Sequence, residues 1–259
     1  MITQAQRAQT LSELHAASEI LRVVNVWDVV SAKAIIALPE TRAIATAGHS
    51  IAATFGYPDG ENIPLELMLD MVGRIVAVAG DLPVSADLDA GFGDPGETVR
   101  RAIGVGVVGA NVEDRLKPLA ESVAAVAAIV AAGEAEGVPL ALNARTDAFV
   151  RAGDRPVEQS IADAIERGRA YLDAGADVVF VPGPLDADIT RQLVDGIGER
   201  KVSVIGAPGA LTAAEYEALG VARISYGPMT QRVALTALQD LATSLYADGV
   251  IPAGTRALN

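Results

Sequence analysis

Short runs rich in valine, isoleucine and alanine recur along the whole chain, each followed by a longer alanine-rich stretch, and this alternation restricts the fold most. The runs are Arg22–Val26, Ala43–Thr46, Pro83–Asp87, Gly109–Glu113, Leu140–Ala144, Val178–Val181, Val202–Ile205 and Arg223–Tyr226. Helical stretches are expected at Ser31–Leu38, Pro64–Ala79, Gly96–Val105, Ala120–Gly133, Val157–Ala174, Leu185–Gly198, Thr212–Leu219 and Met229–Ala247. A short amphipathic helix, Gln4–Ala16, precedes the first run. Eight strands alternating with eight helices in 259 residues predict the α/β class and a (β/α)8 TIM barrel.

The punctuation agrees. Asp94-Pro95-Gly96-Glu97 supplies an N-cap, a proline at the first helical position and an acid in the first turn. Thr212-Ala213-Ala214-Glu215 is a capping box. Gly175 and Gly220 end helices just before strands. No linker or composition shift divides the chain, so residues 1–259 are expected to form one domain. A doubly wound sheet would need a dinucleotide-binding glycine pattern after the first strand, and Val26-Trp27-Asp28-Val29 has none.

Composition narrows the chemistry. The residues are 51% hydrophobic but only 4% aromatic, which suits strands covered on both faces. A formal net charge of −13 argues against nucleic acid as a partner. The absence of cysteine excludes disulfides, thiolate metal sites and a cysteine nucleophile. Two histidines, His15 and His49, make a multi-histidine zinc site a poor expectation. No segment reads as a signal peptide or a bilayer span, so a cytoplasmic protein without membrane partners is expected.

In a barrel, chemistry gathers at the C-terminal ends of the strands. The third run leads into Asp87-Leu88-Asp89-Ala90-Gly91-Phe92-Gly93, where alternation puts Asp87 and Asp89 on one side. The next run ends at Glu113 and the fifth leads into Arg145. Carboxylates converging on one rim need a cation, and Mg²⁺ suits oxygen ligands, with Mn²⁺ as the alternative. Arg145 is placed to clamp a substrate carboxylate. Plainer uses stay open. Asp89 fits a turn before glycines, and Glu113 with Arg145 fits an ion pair between neighbouring strands. Asp59 fits turn chemistry in Tyr57-Pro58-Asp59-Gly60, and His49 a structural role. Trp27-Asp28 fits packing plus a helix N-cap.

Taken in order, these segments resemble the isocitrate lyase/phosphoenolpyruvate mutase superfamily. The matching stretches are Asn25–Ala32, Ala43–Thr46, Phe55–Gly60, Asp87–Gly93, Gly109–Asp114, Asn143–Ala148, Ala174–Asp177 with Phe180, and Gly220–Ser225. The likeness spans roughly residues 10–245. It implies a Mg²⁺-dependent enzyme acting on small 2-oxo or 2-hydroxy carboxylates, breaking or forming C–C or P–C bonds. It places Asp87, Asp89, Glu113 and Asp59 in the metal's acidic shell, with Asp87 the direct ligand and others acting through water. It places Thr46, Ala47, Gly48 and His49 in a pyruvyl-binding loop, joined in the substrate pocket by Trp27, Asp87 and Arg145. Arg145, Glu113 and His49 are the expected catalytic groups, and a dimeric or tetrameric homo-oligomer the expected assembly.

The departures matter as much. Where the superfamily's lyases carry a Lys-Lys/Arg-Cys-Gly-His loop, this chain runs Arg115-Leu116-Lys117-Pro118-Leu119, already approaching a helix. The mutase-type asparagine is missing too, and Phe180-Val181-Pro182-Gly183 has no acid where lyases have a glutamate. With the chain ending at Asn259, the helix that subunits of this superfamily often exchange is expected to be short or lost. Cleavage of isocitrate or methylisocitrate by a cysteine acid is therefore not expected. Decarboxylation of an oxaloacetate-like acid is favoured, because loss of CO₂ leaves an enolate directly and needs no such acid. The alternatives are a P–C enzyme, such as a phosphonopyruvate hydrolase or phosphoenolpyruvate mutase, and a non-catalytic 2-oxo acid binder.

Overall fold

The computed structural model describes residues 2–258. The chain begins with α1 (Gln4–Ala16), β1 (Leu21–Val23), β2 (Asn25–Val26), α2 (Val29–Ile36), β3 (Ile44–Thr46), α3 (Gly48–Thr54) and α4 (Leu65–Ala79). It continues through β4 (Val84–Asp87), α5 (Pro95–Gly104), β5 (Gly109–Glu113), α6 (Leu119–Ala135), β6 (Ala141–Arg145) and α7 (Val157–Asp173). It closes with β7 (Val178–Phe180), α8 (Ala187–Ile197), β8 (Val202–Ile205), α9 (Ala213–Ala218), β9 (Arg223–Ser225) and α10 (Met229–Ala247).

All strand pairs are parallel, in the order β1-β9-β8-β7-β6-β5-β4-β3-β2. The ninth strand arises because the first run is divided at Val24. Its first half pairs with β9 (Leu21 opposite Arg223) and its second with β3 (Asn25 opposite Ala45). The chain itself thus closes the (β/α)8 ring. Asn25 clasps the seam: its Nδ2 donates to Thr46 O at 2.9 Å, and its Oδ1 accepts from Tyr226 N at 2.7 Å and Gly227 N at 2.9 Å. The single strand expected over Arg22–Val26 is corrected to two, because one half serves each neighbour.

The helix ends follow their sequence signals. Asp94 Oδ1 accepts from Glu97 N at 3.0 Å, and Thr212 with Glu215 forms the reciprocal capping box. Asp28 caps α2 through Ser31 N at 2.6 Å. The segment after Thr46, expected as loop, instead forms α3. Its seven residues, capped by Ala47 without a side-chain bond, carry too little periodicity to announce a helix.

One end of the barrel is plugged. α1 buries Leu11 and His15 among the strand N-termini, where a Cβ on Gly109 would lie 2.5 Å from Leu11 Cδ2. Gln4 Nε2 donates to Ile103 O and Val107 O, and Ser12 bonds Asp177, fixing the plug. Chemistry is left to the other end. There, Gly91 takes a φ of +89°, and a Cβ on it would lie 2.6 Å from Pro95 Cα. Gly91→Ala is expected to cost about 1–3 kcal/mol, read as a lower urea midpoint at unchanged slope.

Candidate active site

β4, β5 and β6 end at one level of the rim, with Asp87 in register with Asn111 and Glu113 in register with Arg145. Their inward-facing residues, with those of β2 and β9, line a cavity of about 790 Å³. Its lining includes Thr46, His49, Asp59, Asp87, Asp89, Glu113 and Arg145, so most of the predicted site converges. Barrel interiors are ordinarily filled with Val, Ile and Leu. Here Ser85, Asn111, Asn143 and Arg223 occupy those positions and let the cavity reach deep.

Both carboxylate oxygens of Asp87 are held by neutral donors. Gly48 N donates to its Oδ2 at 2.8 Å and Asn111 Nδ2 to its Oδ1 at 2.9 Å. Its backbone N–H reaches Thr46 Oγ1 at 3.0 Å, and Asn143 Nδ2 steadies Asn111 at 3.2 Å. A Cβ on Gly48 would meet Asp87 Oδ2 at 3.2 Å, so glycine permits this approach. Gly48 therefore positions Asp87 through its backbone, and Ala47, whose N–H bonds Val26 O, lies behind the cavity wall.

Asp89 follows in the left-handed region with φ +50°, its side chain folded toward the other acids. Burial first, and then Asp87, Asp59, Glu113 and Glu61, push its pKa up to about 8. Glu113 is raised chiefly by burial, against the lowering influence of Arg145. Among the described residues, no three acidic or imidazole groups converge closely enough to ligate one ion together. An inner shell of Asp87, Asp89 and Glu113 is thus not prebuilt. A cation held by Asp87 and otherwise through water fits this donor set, since Mg²⁺ keeps several waters and takes one or two carboxylates. The mutual repulsion at Asp89 is what such a cation would relieve.

Arg145 makes the ion pairs that a structural reading would give it. Its Nη1 lies 2.9 Å from Glu113 Oε2 and its Nε 2.8 Å from Asp147 Oδ1, so a substrate carboxylate would share this guanidinium. His49 Nδ1 lies 3.3 Å from the half-exposed Asp59 Oδ2. Trp27 is displaced from the expected pocket. It lies in an apolar groove with Val30 and Val233, between α2 and α10, because Asn25 takes the inward position and Trp27 falls in the turn leading to α2.

Glu61 joins the site without a signal in the sequence. Its Oε1 accepts from Ala90 N at 3.1 Å and Phe92 N at 2.6 Å, and its Oε2 meets Arg115 Nη2 at 3.0 Å. It fastens the Asp89–Gly93 turn from a separate loop, a contact that no local pattern announces. Asn111 and Asn143 were also passed over, although each lies two residues from Glu113 or Arg145 and alternation would have put them on the same face.

Residues 11–246 match the family model of phosphoenolpyruvate phosphomutase. The chain belongs to that family. Its relatives lie within the isocitrate lyase/phosphoenolpyruvate mutase superfamily, as the resemblance implied. One is 2,3-dimethylmalate lyase of Eubacterium barkeri, 30% identical over 93% of this chain and 86% of the relative. Another is oxaloacetate decarboxylase of Paraburkholderia xenovorans (strain LB400), 30% identical over 92% of this chain and 81% of the relative. Among solved structures, oxaloacetate acetylhydrolase in complex with its product oxalate superposes with a TM-score of 0.85 at 25% identity, over 97% of this chain and 91% of the other.

Proposed function

We propose that this family member is a divalent-metal-dependent carbon–carbon lyase for a small 2-oxo or 2-hydroxy carboxylate, with an oxaloacetate-like acid as substrate. The observation carrying this reading is Asp87, held by Gly48 N–H and Asn111 Nδ2 at the heart of an acidic rim beside Arg145. Relatives named as an oxaloacetate decarboxylase and a dimethylmalate lyase support the class. When bound, Mg²⁺ supplies positive charge against the enolate that builds on the substrate.

The chain's own groups do the rest. Asp87 would hold the ion, with Asp89, Glu113 and Asp59 reaching it through water. Arg145, and Thr46 and His49 at the cavity wall, would orient the acid. In decarboxylation the bond from C3 to the departing carboxylate breaks, its electron pair enters the 2-oxo group as an enolate, and CO₂ leaves. C3 then takes a proton from water. The turn after β5 favours this simple route. Lys117 N bonds Asp114 O at 2.9 Å and α6 begins at Leu119, so this turn extends no acid–base loop over the cavity. Arg115, Arg151 and Arg232 at the cavity wall favour the second reading, in which a phosphonate is bound and its P–C bond cleaved.

Product analysis separates these. With saturating Mg²⁺, oxaloacetate should yield pyruvate and CO₂, while phosphonopyruvate should release no phosphate. Phosphate release would give the P–C reading the place, and binding of oxalate without turnover of any 2-oxo acid would make the protein a binder.

The assembly is proposed to be a homo-oligomer, dimer or tetramer. α10 leaves Val233, Leu235, Leu238 and Tyr246 largely exposed, more apolar surface than one surface helix ordinarily shows. No helix among the described residues is long and apolar enough to cross a membrane.

A further inference from the structure

The floor of the cavity holds a cation that the proposed chemistry does not use. Arg223 projects from β9 across the barrel toward Ser85 on β4 and is 2% exposed. Its Nη1 has only long contacts, 3.5 Å to Ser85 Oγ and 3.5 Å to His15 Nε2 from the α1 plug. Its Nε, and the hydroxyl of Ser203 beside it in register, have no partner among the described residues. Asp87 is the one opposite charge acting on it among the described residues, without forming an ion pair. Burial brings its pKa down to about 10, so it stays charged at neutral pH.

A buried guanidinium without a carboxylate costs stability, and an apolar side chain of similar size would be expected to fit as well or better. Such a cost is characteristic of functional sites. We propose that Arg223 is a positioning residue whose fixed positive charge, set beneath Asp87, tempers cation binding at the rim and favours the anionic ligand bound there. The charge acts through a low-dielectric interior, without touching either ligand. This rests on the metal and 2-oxo acid reading above.

The two effects have opposite signs, and that separates them from structural damage. In calorimetric titrations, Arg223→Met should bind Mg²⁺ about threefold more tightly, and oxalate at saturating Mg²⁺ about tenfold more weakly, than the unsubstituted protein. Arg223→Lys should stay within about twofold of the unsubstituted protein on both. The Tm of Arg223→Met should be equal or higher. Weakening of both ligands, a lower Tm, or no change in either affinity would overturn the assignment while leaving the lyase reading in place. Failure of the unsubstituted protein to bind Mg²⁺ would overturn both.

Discussion

Asp87→Ala is expected to abolish measurable Mg²⁺ binding and to lower kcat/KM for a 2-oxo acid on the order of 10³-fold. The fold should survive. Losing the carboxylate leaves Gly48 N–H and Asn111 Nδ2 without their acceptor, a cost of about 1–3 kcal/mol for each buried group left unpaired. Against that, it removes one of the negative charges that burden Asp89, so part of the cost is returned as relieved repulsion. A circular dichroism melt should therefore show a cooperative transition, while titration with MgCl₂ shows no heat of binding. Retained Mg²⁺ affinity in this variant would remove Asp87 from the metal site.

The largest stability effect is expected just behind the rim. Asp114 accepts from Tyr171 Oη at 2.6 Å and Arg167 Nη1 at 3.2 Å, and from the backbone at Leu116 N (2.8 Å) and Asp147 N (3.0 Å). It therefore ties the turn after β5 to the segment after β6, the two segments that carry Arg115 and Asp147 into the site. Removing it leaves Tyr171 Oη and the Leu116 and Asp147 N–H groups without their acceptor and takes one of two carboxylates from the largely buried Arg167, which keeps Asp163 at 2.7 Å, a combined cost of about 3–5 kcal/mol. Asp114→Ala should lower the unfolding free energy by that amount in urea. Tyr171→Phe should cost less, about 1–3 kcal/mol, because the arginine–carboxylate pair stays. A change below about 1 kcal/mol for Asp114→Ala would show that the network is not what holds these turns.

The barrel was legible because its signals are local and repeated. Runs such as Gly109–Glu113 and Val202–Ile205 form strands over the same residues, and Met229–Ala247 forms a helix over its expected span. Asp87 and Glu113 were legible as neighbours because barrel topology puts strand ends at one level, whereas Asp89 lies past the end of β4 in a left-handed turn that alternation does not describe. What was not legible depends on contacts distant in sequence. Glu61 reaches the Asp89–Gly93 turn from a loop before α4, and Arg223 crosses the barrel from the last strand. Trp27 was placed in the pocket by the resemblance, while its local signal pointed to packing beside a helix N-cap. The split of the first strand at Val24 gives Asn25 the inward position instead. The state of Arg145 also depends on its surroundings. Its type and position suit a clamp, but Glu113 and Asp147 already flank it.

Metal-assisted enolate chemistry at Asp87 is tested most directly by metal dependence. The protein would be stripped with EDTA and incubated with oxaloacetate, and pyruvate followed as Mg²⁺ is restored, against the slow decarboxylation that Mg²⁺ causes without protein. The stripped protein should show no turnover, and a saturable, protein-dependent rate should appear when Mg²⁺ returns. Full activity after stripping, or a rate with Mg²⁺ no greater than the protein-free control, would contradict that chemistry.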